Sequence, residues 1–244
     1  MSITIRRHTQ EEREYYVCLP ASYQQGDRRY PVLYIQDGDR LLPVLEELLD
    51  PGYDRDGIAL CEYIIVGTIP RNRGDDYTPW QAPSLKRGLP PFGGKGDLYL
   101  DYLAGHLKPR IDRDYRTLPD PANTAIAGVS LGGLISLYAI YRQPCFGCAA
   151  SISGSFWYPG FLSFLQEHTP CSPDVRVLLI SSRTEGLGEL PPLCSAVDCQ
   201  KQVLALLKRQ LTVKDVPLIW DDGGHMDHID LRLDQALRWI CKNR

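Results

Sequence analysis

The 244-residue sequence predicts an α/β fold, with a mostly parallel central sheet, helices on both faces and an antiparallel N-terminal edge. Three observations predict it. From about residue 31 onward, β-rich runs alternate with helical stretches, the pattern of strands joined by helical crossovers. The later β-runs are apolar almost throughout, as strands covered on both faces are. The first segment, 3–19, has no helix inside it, so its strands pair as an antiparallel hairpin at an edge.

The β-runs are 14–19, 31–36, 63–67, 124–127, 148–152, 175–181 and 216–220, rich in the β-branched and aromatic residues that suit a pleated surface. Helical stretches lie between them at 41–49, 97–110, 131–141, 161–167, 197–211 and 231–241. In such sheets chemistry gathers at the carboxyl ends of the strands. Residues 71–95 break the rhythm with Pro79, Pro83, Pro90, Pro91 and the Gly93-Gly94 pair. A loop this long inside a compact domain is usually functional or mobile. No long insertion follows the 148–152 strand, which predicts an open site with no large lid. Gly (21) and Pro (19) are spread as turn punctuation rather than gathered in a hinge, so one domain spanning 1–244 is expected.

Composition excludes several classes. With 27 Lys plus Arg against 30 Asp plus Glu, the net charge of −3 lacks the basic excess of a nucleic-acid binder. At 43% hydrophobic residues the chain can bury a sizeable core. No run of 18 apolar residues predicts a membrane span, and the start lacks the layout of a secretory signal, so a cytoplasmic location is expected. Eight scattered cysteines fit a reducing compartment better than a small disulfide scaffold. Cys145-Phe-Gly-Cys148 is one CxxC without a second pair and reads as two packed thiols. Gly93-Gly-Lys-Gly96 lacks the spacing and the following Ser or Thr of a phosphate-binding loop.

The strongest chemical signal is Gly128-Val-Ser130-Leu-Gly132, a G-x-S-x-G. It follows an apolar β-run and opens a helix, the strand–turn–helix setting of a nucleophile elbow. A sharp turn lifts the serine above the sheet, glycines relieve the crowded backbone, and the helix N-terminus favours an oxyanion. The Leu131 N–H is one oxyanion donor. A serine needs a base, and chain order predicts an acid and then a histidine downstream. His225 follows the last β-run and Gly223-Gly224, where the base should hang. His228 is the second choice, and His168 reads as a surface residue. The cluster around His225, Asp227, His228 and Asp230 lacks the spacing of a metal site, so no metal is expected. Glu185, closer than Glu189 to the end of the 175–181 run, is the candidate acid, and a serine–histidine pair without an acid is the alternative.

These residues bring out a resemblance. Several segments resemble the putative-esterase family of α/β-hydrolases, which includes esterase D, enterochelin and bacillibactin esterases, feruloyl esterases and mycolyltransferases. Similar to that family are the strand ending in Asp37-Gly38, Ile64-Ile-Val-Gly67 with Asp76-Tyr-Thr-Pro79, and Ile111-Asp-Arg-Asp-Tyr115. Ser153-Gly-Ser-Phe-Trp157 resembles the segment that lines the family's site. The resemblance implies an α/β-hydrolase fold, Ser130 as nucleophile, His225 as base, Glu185 at the acid position, and the Asp39 N–H as second oxyanion donor beside Leu131. Close behind His225 the family's usual aromatic is absent and His228 stands instead.

The implied function is a serine esterase acting on a small-molecule ester without a cofactor. Acyl transfer or thioester cleavage by the same residues is one rival, and a catalytically silent binding protein is another. Residues 71–95 carry five basic residues (Arg71, Arg73, Lys86, Arg87 and Lys95) against two acidic ones, Asp75 and Asp76. With Trp80, Phe92 and Trp157 as aromatic walls, such a rim suits an anionic aromatic ligand. Arg71, Arg73, Trp80 and Trp157 are therefore the candidate substrate contacts. The resemblance extends this to a siderophore trilactone or a feruloyl-type aryl ester.

Overall fold

The computed structural model describes residues 4–49, 62–85, 88–213 and 215–242. In chain order the strands are β1 (Thr4–Gln10), β2 (Arg13–Leu19), β3 (Val32–Ile35), β4 (Ile64–Thr68), β5 (Gln81–Ala82), β6 (Phe92–Gly93), β7 (Thr124–Val129), β8 (Cys148–Ile152), β9 (Arg176–Ser182) and β10 (Leu218–Asp221). The α-helices are α1 (Gly38–Leu48), α2 (Arg73–Asp76), α3 (Gly96–Tyr102), α4 (Lys108–Asp114), α5 (Leu131–Arg142), α6 (Phe161–Glu167), α7 (Ala196–Gln210) and α8 (Ile229–Lys242). Eight strands form one sheet in the order β1-β2-β4-β3-β7-β8-β9-β10. β2 runs antiparallel to both β1 and β4, and every other neighbouring pair is parallel. The mostly parallel sheet and its antiparallel edge are as the sequence predicts.

The period of two along each strand divides the core into two layers. In β7, Ile126 packs on one face of the sheet, while Ala125, Ala127 and Val129 pack on the other. The first face is covered by α3 through α7. The second is covered by α1, through Leu41, Leu45 and Leu48, and by α8, through Leu233, Leu237 and Ile240. α5 is buried from Leu131 to Tyr141, the mark of a helix wrapped by other elements on every side. β10 differs from the expected fully covered strand. All four of its residues are half-buried, because it is the sheet's last strand and has a neighbour on one side only.

Two predicted elements change form. The helix expected over 97–110 splits into α3, a π-helical turn at Leu103–Leu107, and α4. Pro109 has no N–H to donate, and the Lys108 N–H just before it bonds to Leu103 O in the wider i→i−5 pattern. The 71–95 segment is ordered at both ends rather than a featureless loop. Asn72 caps α2 by accepting the Asp75 N–H at 3.1 Å. β5 and β6 pair antiparallel, and Lys95 closes onto Asp75 at 2.7 Å. Lys86 and Arg87 lie outside the described residues.

Cys145 and Cys148 are free thiols, each pushed up to about 11 by burial, as packed rather than reactive cysteines are. Cys241, by contrast, is disulfide-bonded. Among the described residues no helix is long and apolar enough to cross a membrane.

The turn after β3 depends on glycine. A Cβ placed on Gly38 would lie 2.6 Å from the Gly67 Cα, backbone against backbone, with no flexible side chain able to yield. Gly38→Ala is expected to lower unfolding stability by about 1–3 kcal/mol, the usual cost of overpacking. Urea titration checks this, and an unchanged midpoint would contradict it.

Candidate active site

β3 and β7 are parallel neighbours, so the chain leaves both at the same sheet end, side by side. Leaving β7, Ser130 adopts φ 60° and ψ −119°, a conformation that costs energy and needs surrounding structure to hold it. That support comes from close packing. A Cβ on Gly128 would sit 2.5 Å from the Gly132 carbonyl carbon, and one on Gly133 would sit 2.6 Å from Ser151 Oγ. The Ser130 N–H donates to Ile152 O at 2.9 Å, and Ser130 O accepts from the Ser155 and Leu134 N–H groups.

Ser130, His225 and Glu185 meet, though they lie on three separate loops. Ser130 Oγ is 3.0 Å from His225 Nε2. His225 Nδ1 is in hydrogen-bond contact with Glu185 Oε1. Glu185 is 7% exposed, whereas Glu189, the alternative acid, is exposed. Gly186 makes this placement possible. It sits at φ 75°, and a Cβ there would strike Leu193 O. The acid loop is stitched to the histidine loop because the Ser182 and Thr184 hydroxyls both donate to Gly223 O. Of the other histidines, His228 bonds to Asp221 at 3.0 Å, and His168 is exposed and stacks on Phe164.

The histidine loop has a buried anchor that the sequence reading missed. Arg232, 1% exposed, donates to Asp221, to Ser153 Oγ at 2.9 Å, to Gly224 O at 2.9 Å and to His225 O at 3.2 Å. Desolvation alone would raise the Asp221 carboxyl. Hydrogen bonds from His228, Arg232 and the Gly223 N–H outweigh it and hold the group well below the usual carboxylate range. No spacing signal marks Arg232, because its partners come from β10, the histidine loop and the turn after β8.

A cavity of about 530 Å³ opens beside Ser130, Leu131 and His225. Phe92 and Trp157 line it, and so do Leu85, Leu89 and Leu193, which sequence reasoning did not single out. Ser155 lines it too, its Oγ 3.3 Å from Ser130 Oγ. Arg73 is at the wall, but its guanidinium grips Asp37 through contacts of 2.9–3.0 Å and donates to Val129 O at 3.2 Å. Arg71 and Trp80 are not brought to this cavity. Arg71 turns to Glu11 and Glu12, and the Trp80 indole N–H donates to Pro159 O inside an aromatic cluster with Tyr138, Tyr158 and Phe164. Asp39 is exposed in the first turn of α1, outside the cavity lining. No group of three or more metal-binding side chains occurs among the described residues.

Arg232→Met is expected to destabilise the fold by about 3–5 kcal/mol, because Asp221 loses its guanidinium partner while the Gly224 and His225 carbonyls lose their donor. Calorimetric melting checks this. The Asp221 carboxyl is depressed in the folded state. Its stabilisation is therefore complete above about pH 4, the unfolded value, and fades as pH falls toward the folded value. Asp221→Asn should flatten the fall in melting temperature below pH 4, and an unchanged acid slope would contradict this.

Residues 7–191 match the family model described as putative esterase. The chain is 31% identical over 249 residues to the uncharacterized protein YbbA of Bacillus subtilis (strain 168), covering 100% of this chain and 99% of that one. It is 28% identical over 145 residues to the siderophore triacetylfusarinine C esterase of Aspergillus fumigatus, covering 55% of this chain and 47% of that protein. The solved structure of an IroE-like serine hydrolase from Shewanella oneidensis superposes with a TM-score of 0.81 at 23% identity, over 99% of this chain and 80% of that one. The chain belongs to the putative esterase family and is an ester hydrolase with an α/β-hydrolase-type fold.

Proposed function

We propose that this chain is a serine carboxylic-ester hydrolase working through an acyl-enzyme. The observation that carries the reading is His225 bonded on one nitrogen to Ser130 and on the other to buried Glu185. With its proton on Nδ1, the imidazole donates to the Glu185 carboxylate and presents the Nε2 lone pair to the serine hydroxyl. Ser130 Oγ attacks the ester carbonyl carbon as Nε2 takes its proton. Glu185 stays ionised and stabilises the imidazolium, which then protonates the departing alcohol. A water activated by the same nitrogen releases the acid and regenerates the serine. Each step moves a proton or an acyl group and draws on no cofactor.

The oxyanion is stabilised by the N–H groups of Leu131 and Asp39. The α5 and α1 N-termini support this, because both leave N–H groups without intrahelical partners and carry positive dipole. They also lie close together, since a Cβ on Gly132 would be 3.3 Å from Asp37 Oδ2. The substrate is a small ester of the siderophore-lactone or aryl type. The siderophore esterase relative and the Phe92 and Trp157 walls support that range.

Ser130→Ala is expected to lower kcat/KM by about a thousandfold or more while leaving the unfolding midpoint unchanged. A fluorophosphonate should add one mass increment to the wild type and none to the variant. Near-normal turnover in the variant, or no adduct on folded wild type, would remove the serine mechanism.

A further inference from the structure

We propose that the substrate group filling the cavity beside Ser130 is an uncharged aryl or alkyl group, and that the site discriminates against anionic esters. This deepens the serine-esterase reading and rests on it. A basic excess across 71–95 points the opposite way, toward an anionic ligand. The pairing of those charges decides the matter.

Besides His225, the charged residues among the described lining are Arg73 and Asp75, and each already has a partner. Arg73 is neutralised by Asp37, which is buried and bonds it through both carboxylate oxygens. Asp75 is neutralised by Lys95 at 2.7 Å. Arg71 lines a different cavity and is engaged by Glu11 and Glu12. Each described cation of the segment is thus already paired with a carboxylate before a ligand arrives. The remaining pair is His225 with Glu185, which carries −1 while the imidazole is neutral. An anionic group in this cavity would lose its hydration, gain no counter-charge and face the Glu185 carboxylate.

The walls fit the complementary chemistry. Leu85, Leu89, Phe92, Trp157 and Leu193 give an apolar lining. Leu85 is 38% exposed and Leu89 58%, so the apolar surface continues to the mouth. A volume of about 530 Å³ lies within the range of small-ligand sites, roughly 300–1,000 Å³. An aromatic acid or a short alkyl chain gains most by leaving water there.

Calorimetric titration of the Ser130→Ala protein, which binds without turnover, compares two ligands of the same shape: methyl 4-methylbenzoate and monomethyl terephthalate. The neutral ester is expected to bind at least about tenfold more tightly. Equal or tighter binding of the anion overturns the proposal. Lys86→Gln/Arg87→Gln, at the two positions outside the described residues, should keep the preference for the neutral ester. A wild-type preference for the anion that disappears in this double variant assigns anion binding to those residues and also overturns it. Asp75→Asn removes the partner of Lys95 behind the cavity wall and should narrow the preference several-fold at low salt, by strengthening binding of the anion. A preference unmoved by that change contradicts the role given to pairing. The two readings fail separately. If fluorophosphonate leaves the wild type unlabelled while the calorimetric preference stands, the serine mechanism falls. If labelling succeeds and the anion binds equally well, the charge preference falls.

Discussion

The site depends on the approach of the chain leaving β3 to the chain leaving β7. The two strands are parallel neighbours, and the sheet changes direction between them: β3 leads out to β4, and the chain returns to the other side as β7. Crevices form at such reversals, and here the crevice holds two helix N-termini. Glycine at positions 38 and 128 lets the backbone approach Gly67 and Gly132 to distances that a Cβ would forbid. Arg73 then ties the approach together, one guanidinium holding Asp37 from the first loop and Val129 O from the second. The strained Ser130 conformation is sustained because its neighbours leave it no alternative, with α5 buried from Leu131 to Tyr141.

A second constraint acts on the proposed base. His225 sits on a loop with few apolar contacts of its own, and such loops open easily. Arg232 counters this from the first turn of α8, bonding two consecutive loop carbonyls, the turn after β8 and the end of β10. A buried guanidinium costs desolvation, and a buried ion pair often gives no more stability than packed apolar residues of the same volume. What it gives that leucine cannot is direction. Its planar fork fixes where each carbonyl points, and so fixes where the imidazole hangs.

The parts of this architecture legible in the sequence are those set by local rules. The elbow is a turn whose chemistry is written within five residues. His225 and Glu185 follow from chain order and from their places just past strand ends. The strands were readable because their apolar runs are short and bounded. The illegible parts depend on partners far away in sequence. Asp221 and Arg232 are 11 residues apart, but the bond from Arg232 to Ser153 spans 79 and that from Arg73 to Asp37 spans 36. Trp80 reads as a wall from composition, yet it is drawn into a cluster with Tyr138 and Phe164, whose places are set by α5 and α6. The π-helical turn hides for a related reason. Pro109 is visible, but a proline near a predicted helix can signal an end, a kink or a bulge, and tertiary packing chooses among them.

Charge shows the same difference most sharply. A count along a segment is additive, whereas the field in a cavity depends on which charges cancel before a ligand arrives. Residues 71–95 carry an excess of basic residues, yet Arg73 and Lys95 are paired with acids, and one of those acids, Asp37, lies outside the segment. An apolar cavity whose Arg73 and Asp75 are already paired would also serve the proposed chemistry. In the proposed mechanism, water displaced from the walls would no longer screen His225 from Glu185, and the carboxylate would act on the imidazolium at a lower effective dielectric. On the proposed mechanism a neutral guest that displaces this water would strengthen the pair, whereas an anionic guest would bring its own hydration and its own field against it.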